Sequence, residues 1–184
     1  DILVDNNLID QSNLRAWQRT IGYVPQQIFL TDDTIAMNIA FGQEPKDIDM
    51  NIIKNVAKIA NLHDFIINKL PDGYETKIGE QGVRLSGGQR QRIGIARALY
   101  HNPEVLIFDE ATSALDNATE SAVMESVDNL GDEKTIIIIA HRLSTVRNCD
   151  NIFVFEDGRL VGEGTYEKLL KVNPQFQKMV KIKN

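Results

Sequence analysis

The 184-residue sequence has one cysteine, Cys149, one tryptophan, Trp17, and five prolines. A lone cysteine supports no disulfide framework and suits a reducing compartment. The longest strongly apolar run, residues 136–140, is far too short for a membrane-spanning helix. No signal-peptide pattern is visible. No internal repeat, low-complexity tract or long linker breaks the chain. A net charge of −6 disfavours a general basic surface for nucleic acid, although it leaves room for a local phosphate site. No Gly-Lys-Ser or Gly-Lys-Thr occurs, so the phosphate-cradling pattern G-x-x-x-x-G-K-[ST] is missing. What remains is ordinary for a soluble globular domain: 42% hydrophobic and 25% charged, in a chain long enough to bury a core.

Apolar spacing predicts the elements. Residues 2–4 and 21–24 are short apolar runs, the second ending at Pro25. Ile52, Val56, Ile59 and Leu62 recur at helical spacing and predict a helix over about 49–61. Pro71, Asp72 and Gly73 mark a turn, and a glycine-bearing loop covers 79–82. A helix then runs over about 87–100 with Ser86 as its N-cap, and Asn102 and Pro103 end it. Residues 105–108 and 136–140 are unbroken apolar runs, which suit strands of a parallel sheet buried on both faces. Val123, Val127 and Leu130 predict a helix between them, over 117–130. A hairpin turning at Asp157 and Gly158 and two short helices, near 166–172 and 174–181, close the chain. Alternating strand and helix in the second half indicate an α/β layered fold.

Two stretches carry chemistry. In "LSGGQ", residues 85–89, glycines open a helix whose first N–H groups are unpaired and whose dipole is positive there. Glycine lets a phosphate approach the backbone, while Ser86 adds a hydroxyl and Gln89 an amide. An ordinary Ser-capped helix after a glycine turn is the plainer alternative. In "VLIFDE", residues 105–110, a buried strand ends in Asp109, which is where a carboxylate can hold Mg²⁺ beside a nucleotide. Glu110 follows, placed to take a proton from a water. The plainer reading is a strand leading into an acidic loop. His141 ends "IIIIAH" and suits either a phosphate contact or a polar strand cap. Gln26 after "GYVP" is anonymous alone.

Taken in order, these pieces resemble the nucleotide-binding domain of ABC transporters. "YVPQ" resembles the family's Q-loop, "LSGGQ" matches its signature at all five positions, and "VLIFDE" resembles Walker B with the catalytic glutamate. "SALD", Ser113 to Asp116, resembles the D-loop, and "IIAHRLSTV" the segment bearing the switch histidine. The resemblance covers essentially the whole chain and implies a P-loop NTPase-like α/β fold with a mainly parallel sheet. It also implies a helical subdomain over about 27–100, with 1–26 and 101–184 forming the rest of the core. It implies ATP and Mg²⁺ as cofactors and a head-to-tail pair of such domains with ATP between them. Asp109 and Gln26 are then metal contacts, Glu110 the general base, and His141 a γ-phosphate contact. Ser86, Gly87, Gly88 and Gln89 act on ATP held by the partner, and Asp116 couples the two sites.

The resemblance also demands a Walker A loop upstream of Gln26, and only a short stretch precedes it. "DILVDNNLID" already resembles the strand segment beyond that loop's helix, and Trp17 is no substitute for the family's base-stacking aromatic. A fold incomplete at its N-terminus is therefore expected, inactive in isolation and with an exposed sheet edge prone to pairing with another copy. "GEQGVRLSGGQRQRIGIARAL", residues 31–42 and "DGRLVGEGTYEKLL" resemble the exporter branch. That branch implies a transmembrane domain in the same polypeptide, a location on the cytoplasmic face of a membrane, and no nucleic-acid partner. Two other readings remain: an ATPase of the same fold working on DNA or the ribosome, and a non-enzymatic module lending its signature helix to another chain's ATP. The first expects coiled-coil or basic arms, which are absent here; the second sits poorly with Glu110 and His141.

Overall fold

The computed structural model describes residues 1–79, 82, 85–130, 134–140, 142–143 and 145–182. The chain forms two compact units, Asp1–Ile139 and Ala140–Asn184. The first unit opens with a hairpin of β1, Leu3–Val4, and β2, Asn7–Leu8. Asp5 and Asn6 at its turn both have positive φ, 48° and 63°. This is the mirror-image turn that matches strand twist, and Asp and Asn tolerate it. The run at 2–4 is thus one arm of a hairpin whose second arm lacks a pattern of its own.

Helix α1, Leu14–Arg19, leads into β3, Ile21–Val24. Then come α2, Ile35–Ile39, α3, Met50–Ile59, and α4, His63–Lys69. Caps explain two of these starts. The Thr34 side chain accepts from Met37 N, and that of Asp49 accepts from Asn51 N and Ile52 N. Helix α5, Gly87–Leu99, strand β4, Val105–Asp109, helix α6, Asn117–Asp128, and strand β5, Thr135–Ile139, complete the unit.

β3, β4 and β5 form one parallel sheet in that order. Val24, Leu106 and Phe108 are buried on one face, and Ile136 and Ile138 pack onto the same core cluster with residues of α2, α3, α5 and α6. The other face is open. Tyr23 is 52% exposed, Ile137 47% and Ile139 52%. The expectation of burial on both faces therefore fails for β5. Its four isoleucines alternate, because the core forms against one side of the sheet only. The open face presents Tyr23 and Asp109, since Tyr23 pairs with Ile107 and Asp109 lies two residues further along that face.

The sheet meets α5 closely at Gly22. A Cβ there would lie 2.6 Å from the Ala98 carbonyl oxygen, 2.7 Å from Pro103 and 2.9 Å from Leu106. Backbone blocks one side, so the clash has no cheap relief. Gly22→Ala is expected to destabilise the unit by about 1–3 kcal/mol, as overpacked cores do, seen as a lower urea midpoint. An unchanged midpoint would refute this close packing.

In the second unit, β6, Ile152–Glu156, and β7, Arg159–Gly164, form an antiparallel hairpin turning at Asp157 and Gly158, both with positive φ. Helices α7, Tyr166–Val172, and α8, Pro174–Ile182, follow. Ile152, Val154, Leu169 and Phe176 make this unit's own small core.

Candidate functional site

β4 delivers Asp109 and Glu110 at its C-terminal end, where sites of open α/β sheets form. The Tyr23 hydroxyl donates to Asp109 Oδ2 at 2.9 Å. That bond, with the Asp109 charge nearby, holds the Tyr23 phenol above its ordinary pKa. Gln26, just past β3, donates from Nε2 to Glu110 Oε2 at 2.7 Å. Residues 84 positions apart in sequence thus meet through the β3–β4 pairing.

Glu110 has φ +50°, a left-handed conformation unusual for a side chain of this type. Its N–H donates to the Ile139 carbonyl at 2.9 Å and its own carbonyl accepts from Ser113 N at 3.1 Å. The sharp turn is therefore pinned on both sides and redirects the chain out of the strand. His141 and, from the 79–82 loop, Glu80 and Gln81 lie outside the described residues.

The start of α5 is a capping box. The Ser86 hydroxyl accepts from Gln89 N at 3.2 Å and Gln89 Oε1 accepts from Ser86 N at 2.8 Å. The capped-helix alternative is thus realised, and it leaves the N–H groups of Gly87 and Gly88 without an intrahelical partner. These glycines are packed as well as permissive. A Cβ on Gly87 would lie 3.3 Å from Ala114 Cβ, and one on Gly88 3.2 Å from the Ala114 carbonyl oxygen. The loop that leaves Glu110 therefore runs back over the start of α5.

That loop ends at Asp116, which caps α6. Its carboxylate accepts from Thr119 N at 3.0 Å and from the Thr119 hydroxyl at 2.7 Å. These bonds lower its pKa. A lowered folded pKa stabilises above the unfolded value, and the effect fades as pH falls through the folded one. Wild type is therefore expected to be more stable than Asp116→Asn at neutral pH. Their melting temperatures should converge as pH drops below the ordinary carboxylate range. A gap that persisted at acid pH would overturn the assignment.

Three side chains escape sequence reasoning. Tyr23 reads as sheet filler, yet it bonds Asp109. Gln91 and Arg97 sit within α5 with no local signal, because their partners lie 22 to 68 residues away. Arg97 donates to the carbonyls of Asn38 at 2.8 Å and Phe29 at 2.9 Å, and lies over the Phe41 ring. Arg92 donates to the Asn61 carbonyl at 2.6 Å, and burial lowers its pKa against the opposing pull of Asp116. Arg90 donates to the Leu85 carbonyl at 2.7 Å, so both arginines bond backbone carbonyls.

A family profile described as ABC transporter matches residues 1–113. The chain belongs to the ABC transporter family. A similar curated protein is the ATP-dependent lipid A-core flippase of Saccharophagus degradans, 51% identical over 92% of this chain and 28% of that protein. Another is a putative multidrug export ATP-binding/permease protein of Staphylococcus aureus, 44% identical over the whole of this chain and 31% of that protein. Among solved structures, a bacterial Atm1-family ABC exporter with ATP bound superposes with a TM-score of 0.86 at 40% identity, over 95% of this chain and 30% of that one. The chain spans less than a third of the length of these relatives. No helix among its described residues is long and apolar enough to cross a membrane.

Proposed function

We propose that this chain is the C-terminal portion of the ATP-hydrolysing domain of an ABC exporter, powering movement of a substrate across a membrane. The observation that carries the reading is the juxtaposition of Gln26, Asp109 and Glu110 at the open end of the β3–β4 pair. Residues from about 27 to 100 form its helical subdomain, with the signature helix, and 1–26 with 101–184 the remainder of its ATPase core. Its partners are a second such domain, paired head to tail, and a transmembrane domain in the same polypeptide. Its place is the cytoplasmic face of the membrane.

The donor set fits Mg²⁺, which Asp109 and Gln26 would hold beside a nucleotide. Asp109 and Gln26 would offer only oxygen atoms to a metal. That suits a hard ion that keeps several waters and is held by one or two carboxylates. When bound, the ion supplies charge neutralisation at the phosphates. Asp109 holds its place there, steadied by the Tyr23 hydroxyl. Glu110 accepts a proton from the attacking water at its carboxylate. Gln26 holds that carboxylate through its amide and, by letting go, frees Oε2 to act. His141 contacts the γ-phosphate. Ser86, Gly87, Gly88 and Gln89 bind ATP of the partner domain through hydroxyl, amide and the free N–H groups of the helix start. Asp116 links the two sites.

A calorimetric titration of Mg-ATP into the 184-residue chain tests the division of labour. No saturable binding is expected, because the chain has no glycine-lysine phosphate loop. Tight binding at one site per chain would mean that another segment cradles the phosphates.

A further inference from the structure

We propose that Gln91 is a positioning residue that locks the loop 111–116 to the start of α5, so that both reach a partner's nucleotide as one unit. The inference rests on the functional reading above and adds a residue to it. Gln91 is a polar side chain only 5% exposed, two positions past the "LSGGQ" motif. Its Nε2 donates to the Ser113 hydroxyl at 3.1 Å and its Oε1 accepts from Ala114 N at 2.9 Å. Both ends of one buried amide are therefore spent on two successive residues of the same loop. An apolar residue at 91 leaves the Ala114 N–H without that acceptor, so the loop position depends on this side chain.

The packing agrees from the other side of the contact. Ala114 lies against the positions where side chains on Gly87 and Gly88 would project, and Leu115 Cδ2 lies 3.4 Å from the Cβ position of Gly88. Glycine permits the approach and Gln91 fixes its register. Upstream, the loop is anchored to Glu110 by the Ser113 N–H bond to the Glu110 carbonyl. A continuous path thus runs from Glu110, through Ser113 and Ala114, to Gln91 and the helix start. Displacement at Glu110 is passed to the signature glycines through bonds rather than through loose loop.

The test uses the complete exporter polypeptide, comparing wild type with Gln91→Met, Ser113→Ala and the double variant. Steady-state phosphate release gives kcat and KM for ATP, and amide hydrogen exchange reads Ala114. Gln91→Met is expected to lower kcat about 10- to 100-fold, as misplacement of a reacting geometry does, with KM little changed. Exchange at Ala114 should accelerate while amides in the rest of α5 stay protected. Ser113→Ala keeps the Ala114 bond and should lose less, and its effect should be largely absorbed in the double variant. Wild-type kcat in Gln91→Met, or unchanged exchange at Ala114, would overturn the proposal. Loss of protection along all of α5 would also overturn it, by reducing Gln91 to a fold-stability residue. A wild type that releases no phosphate would instead defeat the ATPase reading, and exchange at Ala114 would still decide the tether.

Discussion

The complete polypeptide carrying Glu110→Gln is expected to bind Mg-ATP but to lose about 10²–10⁴-fold in steady-state phosphate release, the usual contribution of a positioned general base. The substitution keeps the shape of the side chain and removes its proton affinity. The left-handed turn at Glu110 is set by backbone bonds to Ile139 and Ser113, so the loop geometry should survive. Nucleotide should then accumulate unhydrolysed between paired domains, visible as an ATP-dependent dimer in sedimentation. Equal phosphate release by variant and wild type would remove Glu110 from the reaction.

The second large effect belongs to the helix start. Ser86→Arg should abolish ATP-driven pairing, measured by sedimentation in the Glu110→Gln background. The exposed Ser86 side chain caps α5 and lies beside the free N–H groups of Gly87 and Gly88. An arginine there removes the cap and fills the space a phosphate needs. Loss of the cap alone is worth about 1 kcal/mol, which is too little to unfold a helix buried along Ile93, Ile95, Ala96 and Leu99. Failure to pair would therefore report the phosphate cradle, not helix melting. Pairing that persisted would leave Ser86 a cap and nothing more.

Much of this arrangement was legible before the structure. β4 announced itself as four apolar residues and an acid, and α5 as a Ser-capped run ending before Asn102 and Pro103. Those signals are local, and local chemistry dictates them. α1 was invisible because its six residues hold only Leu14 and Trp17 at helical spacing, too few for a repeat to register. α2 is five residues long, too short for a repeat to register, and the apolar residues of α4 are the consecutive Phe65, Ile66 and Ile67, which carry no helical spacing. β5 misled because an unbroken isoleucine run looks alike whether one face is covered or two. The bond from Gln26 to Glu110 follows from parallel pairing of β3 with β4, which no window of sequence contains. The same holds for Gln91, whose partners are fixed by where the loop 111–116 returns.

Glu110 and Ser86 of one chain are expected to serve different nucleotides. Complete polypeptides carrying Ser86→Arg alone and Glu110→Gln alone should each be inactive. Joined in tandem by a flexible linker, the two variants are held as a mixed pair whether or not ATP is bound. If the helix start acts across the pair, each mixed pair keeps one intact site, in which Glu110 of one chain meets Ser86 of the other. Phosphate release well above either parent is the predicted result. Mixed pairs no more active than the parents would mean instead that both groups act on the same chain's nucleotide.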